Sequence, residues 1–136
     1  MDKIVPHNLT PDFQLKKKME TNIGVVYFYN NIVIFEAKEG VVLSYKTGFS
    51  ILLKSLNYLG TKPFVYISNR VHSYSVKPMD YKYLNKVPTL RAVGVVNYSE
   101  VGHTNAELEA KFCKKPFHMF DNLTEAVIWG NGFLMK

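Results

Sequence analysis

The fold is decided by one stretch, Phe64-Val65-Tyr66-Ile67-Ser68-Asn69-Arg70-Val71-His72-Ser73-Tyr74-Ser75-Val76-Lys77-Pro78. It begins as a short apolar β run over Phe64–Ile67. It turns abruptly polar from Ser68 to Lys77. Pro78 then suits the first turn of a helix, where the missing N–H has no intrahelical partner to lose. A strand that feeds a polar loop and then a helix is the arrangement in which α/β domains gather ligands, outside the carboxyl ends of their strands.

Working outward, the flanking segments supply the rest of an α/β pattern. Upstream, Ile23–Tyr29 and Ile32–Glu36 are β-forming runs separated by Asn30-Asn31, residues that tolerate the positive φ of a two-residue hairpin turn. Both runs are nearly continuous in apolar residues, which predicts cover on both faces of their sheet. Phe13, Leu15 and Met19 alternate with polar residues, a pattern for an edge strand that Lys16-Lys17-Lys18 would protect. Phe49, Leu52, Leu53, Leu56 and Leu59 share one helical face, with Ser44 as N-cap and Gly60 as the stop. Downstream, a short helix after Pro78 packs Met79, Tyr81 and Leu84 inward, and Ala92–Val96 is a second buried strand. Thr104 and Glu107 have capping-box spacing and predict a helix to about Lys115, with Leu108 and Phe112 inward. Phe117–Phe120 is a short strand, and Asn122 with Glu125 opens the last helix, with Leu123, Ala126 and Val127 inward.

The order is therefore β-β-β-α-β-α-β-α-β-α. Strands that follow helices need crossovers, so the sheet starts as an antiparallel hairpin and continues with parallel strands. The 136 residues suit a single α/β domain over 13–136 behind a tail at 1–12 punctuated by Pro6 and Pro11.

Composition narrows the function classes. Of the net charge of +6, residues 41–91 hold eight Lys/Arg against Asp80 alone, while the flanking thirds are near neutral. The excess coincides with the polar loop. It suits an anionic partner, though an ordinary solvated basic face accounts for it more simply. With only Arg70 and Arg91 as arginines and no nucleic-acid motif, nucleic acid is not the expected partner. The lone Cys113 leaves no internal disulfide and no cysteine metal cluster, and reads as a small apolar helix residue. There is no apolar signal core, and no apolar run approaches the ~18 residues of a bilayer span. The expectation is a cytoplasmic protein without a transmembrane segment.

Candidate site residues follow from the strand exits. Asn69, Arg70, His72, Ser73, Tyr74 and Ser75 line the polar loop, and Tyr98 and Ser99 follow the second buried strand, which would bring them alongside. Arg70 offers a planar fork for a carboxylate or phosphate, or else a structural clamp. His72 beside Ser73 and Ser75 invites a hydrolase reading, but adjacent loop residues rarely reach nucleophile-to-base geometry, and no nucleophile elbow is present. His7, His72, His103 and His118 lack metal-ligand spacing. No cofactor motif stands out, and catalysis is not expected.

Several strings resemble the STAS/SpoIIAA-like superfamily, and in particular a group of small bacterial STAS/SEC14-type domains. They are Tyr66-Ile67-Ser68-Asn69-Arg70, Tyr74-Ser75-Val76, Val96-Asn97-Tyr98-Ser99, Lys114-Lys115-Pro116-Phe117 and Asn122–Trp129. The resemblance implies a SpoIIAA-like fold with about four helices and a non-enzymatic regulatory or protein-interaction role. In the anti-sigma-factor antagonists of that superfamily, a serine in an Asp-Ser-Ser/Thr-Gly motif at this loop is phosphorylated. The loop here has neither the Asp-Ser pair nor the glycine, leaving Ser73 and Ser75 as the local candidates for phosphorylation. The SEC14-type relatives imply the alternative of a small amphipathic anion or lipid, walled by the helix Ser44–Leu59 and held by Arg70. Pairing through the hairpin edge would also allow a homodimer.

Overall fold

The computed structural model describes residues 7–72 and 74–135. In chain order the elements are β1 (Lys17–Glu20), β2 (Gly24–Tyr29), β3 (Ile32–Ala37), β4 (Val42–Leu43), α1 (Tyr45–Leu59), β5 (Phe64–Arg70), β6 (Ser75–Val76), a 3-10 turn (Pro78–Asp80), α2 (Tyr81–Asn85), β7 (Leu90–Asn97), α3 (Glu100–Ala110), β8 (Phe117–Phe120) and α4 (Leu123–Leu134). Six strands form one sheet in the order β1-β2-β3-β5-β7-β8. β1, β2 and β3 pair antiparallel, and β3, β5, β7 and β8 run parallel. This is the expected mixed α/β sheet with four α-helices. The pair β4–β6, two residues each, was not foreseen, because runs that short carry no periodicity.

Local chemistry accounts for the turns. Asn30 takes φ 57°, and the Asn31 side chain donates to the Pro63 carbonyl at 2.6 Å, tying the hairpin turn to the entry of β5. Ser44 caps α1 with help from Thr47, whose Oγ1 accepts the Ser44 N–H at 2.9 Å. Gly60 ends α1 at φ 68°. The Asn122 side chain accepts the Glu125 N–H at 2.9 Å and opens α4 as expected.

Period-2 alternation divides the core into two layers. Val26, Phe28, Val33, Phe35, Phe64 and Leu90 point to one face, beneath α1 and α2. Tyr27, Tyr29, Ile32, Ile34, Val65 and Ile67 point to the other, beneath α4, where Ala126 and Val127 are fully buried. Both faces are covered, as the continuous apolar runs require. Leu9 and Phe13, in and beside the segment expected as a tail, pack on the α4 side.

Five expectations need correction. Met79, expected to pack inward from the short helix after Pro78, lies in the 3-10 turn and is 70 % exposed. The edge strand lies at Lys17–Glu20, not from Phe13, so Lys17 and Lys18 sit within the edge itself. β5 runs three residues past Ile67, so Ser68, Asn69 and Arg70 are strand residues and not loop residues. α1 turns Ser55 and Leu59 fully inward, leaving Phe49 and Leu53 at its exposed margin. α3 opens at Ser99, whose Oγ accepts the Gly102 N–H, and not at Thr104; it ends at Ala110 and buries Ala106 and Glu109, while Leu108 and Phe112 face outward. Cys113 thus lies beyond the helix, half-buried against the α1-side core. Among the described residues, no helix is long and apolar enough to cross a membrane.

Gly24 of β2 lies against the β3 backbone with no room for a side chain. A Cβ there would sit 2.3 Å from the Glu36 carbonyl oxygen and 2.8 Å from the Ala37 Cα. Both neighbours are backbone and cannot rotate away. Gly24→Ala is therefore expected to cost about 1–3 kcal/mol, read as a lower midpoint in urea unfolding with an unchanged slope.

Candidate functional site

The extension of β5 to Arg70 splits the candidate residues between the two faces. Ser68 and Arg70 point toward the α1 side and Asn69 toward the α4 side, because successive strand residues alternate. Two separate polar systems result.

The first is internal. Arg70 and Glu109 form a bidentate pair, with Nη1 to Oε2 at 2.6 Å and Nη2 to Oε1 at 2.5 Å. Arg70 is 9 % exposed and Glu109 2 %. Tyr81 donates its hydroxyl to Glu109 at 2.7 Å, and Arg70 Nε donates to Ser68 Oγ at 3.1 Å. Ser68 also bonds the Tyr74 hydroxyl, and the Arg70 guanidinium lies 5.4 Å from the Tyr74 ring centroid. Burial works to lower the Arg70 pKa, but the hydrogen bonds with Glu109 more than reverse it and keep the group charged. Burial pushes Tyr74 up, and burial together with the Glu109 charge pushes Tyr81 well up, so both hydroxyls stay neutral. Arg70 is thus taken up inside the protein and has no free fork for an external anion.

The second system is at the rim, where the parallel strands end. Asn69 donates to Glu36 Oε2 at 2.7 Å and accepts the Tyr98 hydroxyl at 2.7 Å. His7 donates or accepts at both ring nitrogens, with Nε2 2.6 Å from Glu36 Oε2 and Nδ1 2.7 Å from the Tyr29 hydroxyl. Burial works to raise the Glu36 pKa, but the hydrogen bonds from His7 and Asn69 outweigh it and hold the carboxyl below its usual value. Burial, with Tyr27 and Glu36 nearby, pushes the Tyr29 hydroxyl up to about 12. The β5–β7 register pairs Arg70 with Asn97, so Val71 and Tyr98 leave the sheet side by side. Tyr98 is 54 % exposed, Val71 46 %, and Val101 in the first turn of α3 73 %.

Of the sequence candidates, Asn69 and Tyr98 are directly bonded. Arg70 and Tyr74 are buried elsewhere. His72 and Ser75 are exposed, and Ser75 lies in β6. Ser99 is occupied as the cap of α3. Ser73 lies outside the described residues. Sequence reasoning missed Glu36, His7 and Glu109. For Glu36 a signal existed, an acid closing the apolar run Ile32-Val33-Ile34-Phe35 at a strand exit. For Glu109 none did, since it sits among ordinary helix residues. Among the described residues no three His, Cys, Asp or Glu side chains gather to hold a metal.

An apolar cavity of about 130 Å³ lies between α1 and the sheet, lined by Val33, Phe35, Leu52, Phe64 and Leu84 among others, with Lys77 and Asp80 at its margin. Arg70 does not line it.

Comparison with solved structures gives a match to a crystal structure of an uncharacterised protein of the DUF3478 family with a SpoIIAA-like fold, from Shewanella loihica. The identity is 12 %, the TM-score 0.52, and the match covers 87 % of this chain and 93 % of that one. The fold is SpoIIAA-like. No protein-family model matches the chain, and no curated protein matches it. The SpoIIAA-like likeness is one of architecture, and it agrees with the sheet order and the antiparallel start described above.

The lowered Glu36 pKa sets a pH dependence. Its folded value lies below the usual 4.5, so its stabilising contribution is complete above that pH and is lost as the pH falls through the folded value. Acid titration of wild type and Glu36→Gln should therefore show a stability difference at pH 7 that narrows below about pH 4.5.

Proposed function

We propose that this SpoIIAA-like domain is a non-enzymatic interaction module that meets a protein partner at the rim where β5 and β7 end. The observation that carries this reading is the Asn69–Tyr98 hydrogen bond beside Glu36. It fixes the orientation of an exposed tyrosine next to exposed Val71 and Val101. A held aromatic with apolar neighbours and a polar tip is the kind of side chain that concentrates binding energy at protein contacts. Exposed His72 widens the polar border, and exposed Ser75, in β6, is an accessible hydroxyl for phosphorylation. A non-enzymatic role is favoured because, among the described residues, His7, Tyr29, Glu36, Asn69 and Tyr98 are hydrogen-bonded to one another with no serine, threonine or cysteine joined to them. A reducing, cytoplasmic setting suits the single unpaired Cys113.

A second reading, a ligand under α1, is supported by the apolar cavity. Its size points to a molecule on the scale of benzene, since pockets for larger ligands run from roughly 300 Å³ upward. An acyl chain with its anionic head on Arg70 lacks both the volume and the free cation. The rim reading is preferred.

Tyr98→Ala with Val71→Ser should leave the melting temperature within about 2 °C and abolish capture of proteins that wild type retains on a resin. An unchanged set of captured proteins from a folded variant would defeat the reading.

A further inference from the structure

The rim holds a recess that the proposed contact does not use. Its floor and walls are Tyr27, Tyr29 and Glu36, and its occupant is the ring of His7. The imidazole is 6 % exposed, meets the Tyr27 ring edge-on with centroids 4.5 Å apart, and spends both nitrogens on Glu36 and Tyr29. Both nitrogens of the ring thus have a partner, a carboxylate at one and a hydroxyl at the other, and an aromatic ring packs against the imidazole.

The chain that delivers this ring is loosely attached. Among the described residues before Lys16, the backbone hydrogen bonds are internal, Leu9 N–H to the His7 carbonyl at 2.8 Å and Phe13 N–H to the Thr10 carbonyl at 3.0 Å. The first backbone bond to the sheet is Lys16 to Phe28 at 2.7 Å. Among the described residues, what holds 7–15 is side chains: the His7 ring, and the apolar contacts of Leu9 and Phe13. A segment fastened by one polar plug and two apolar contacts can leave without breaking the sheet, because local opening is easiest where few backbone bonds must part.

We propose that the Tyr27–Tyr29–Glu36 recess is a binding site for an imidazole side chain, filled in cis by His7, and that a histidine presented by the protein partner replaces it. Glu36 is shared between this recess and the Asn69–Tyr98 arm, so release of His7 frees one of the two hydrogen bonds that hold the carboxylate under the contact surface. The segment around His7 is then a removable plug on that surface. This inference rests on the rim being the contact surface, yet its test needs no partner.

The probe is free imidazole. His7→Gly should bind it, seen as a saturable rise in melting temperature and as shifts in the Tyr27 and Tyr29 NMR signals. Wild type should show no such rise, and His7→Gly with Glu36→Gln should show none. In wild type, excess imidazole should raise amide exchange across residues 8–15 by about tenfold or more while β3 and β5 stay protected. A folded His7→Gly that takes up no imidazole, or exchange at 8–15 that excess imidazole leaves unchanged, would overturn the proposal. If His7→Gly does not fold, the exchange measurement on wild type decides alone. Loss of imidazole binding would not restore partner capture to Tyr98→Ala, nor would unchanged capture by that variant affect the titration, so the two failures are distinguishable.

Discussion

A charged pair buried under the sheet governs the helical layer on the α1 side. Placing Arg70 in the interior leaves a cation that water cannot reach, and such a charge is tolerated only with a close counter-charge and its remaining donors satisfied. Glu109 supplies the charge from α3, Ser68 takes the Nε–H, and Tyr81 on α2 fills a further position on the carboxylate. One ion pair thereby ties β5, α2 and α3 together. It also fixes how α3 is rotated: with Glu109 turned inward, Leu108 is carried outward, against its hydrophobicity, while Phe112 lies past the helix end and is likewise exposed. The helix surrenders apolar burial to neutralise the arginine.

That same constraint clears the rim for another use. Since Arg70 is drawn under the sheet, its neighbour Asn69 points to the opposite face, where it joins Glu36, Tyr98 and His7. Adjacent residues in the chain therefore serve different ends, one holding helices in place and the other orienting an exposed tyrosine. The charge excess of residues 41–91 bears on this only in part, because Arg70 is neutralised internally while the lysines of α1 and α2 remain on the surface.

The architecture was largely legible in the sequence, and the site only in fragments. Hydrophobic runs, the Asn30-Asn31 turn, and the Ser44, Gly60 and Asn122 caps depend on short-range chemistry, so they could be read directly. The extension of β5 was hidden because Ser68, Asn69 and Arg70 look like loop residues, and their β pairing comes from Val95, Val96 and Asn97 across the ladder. The rotation of α3 was hidden for a related reason. A leucine and a phenylalanine at helical spacing argue for burial, and only a partner 39 positions away reverses it. The Asn69–Tyr98 neighbourhood was inferable from two parallel strand exits, whereas His7 arrives from a segment without periodicity.

The central claim is that Arg70 is an internal tie between strand and helices and not a receptor for an external anion. A double-mutant cycle on Arg70→Met and Glu109→Leu, followed by chemical unfolding, tests it most directly. Each single replacement should cost about 3–5 kcal/mol by leaving a buried charge alone, and the double variant should recover most of that loss. Single losses that are small and simply add would contradict the account.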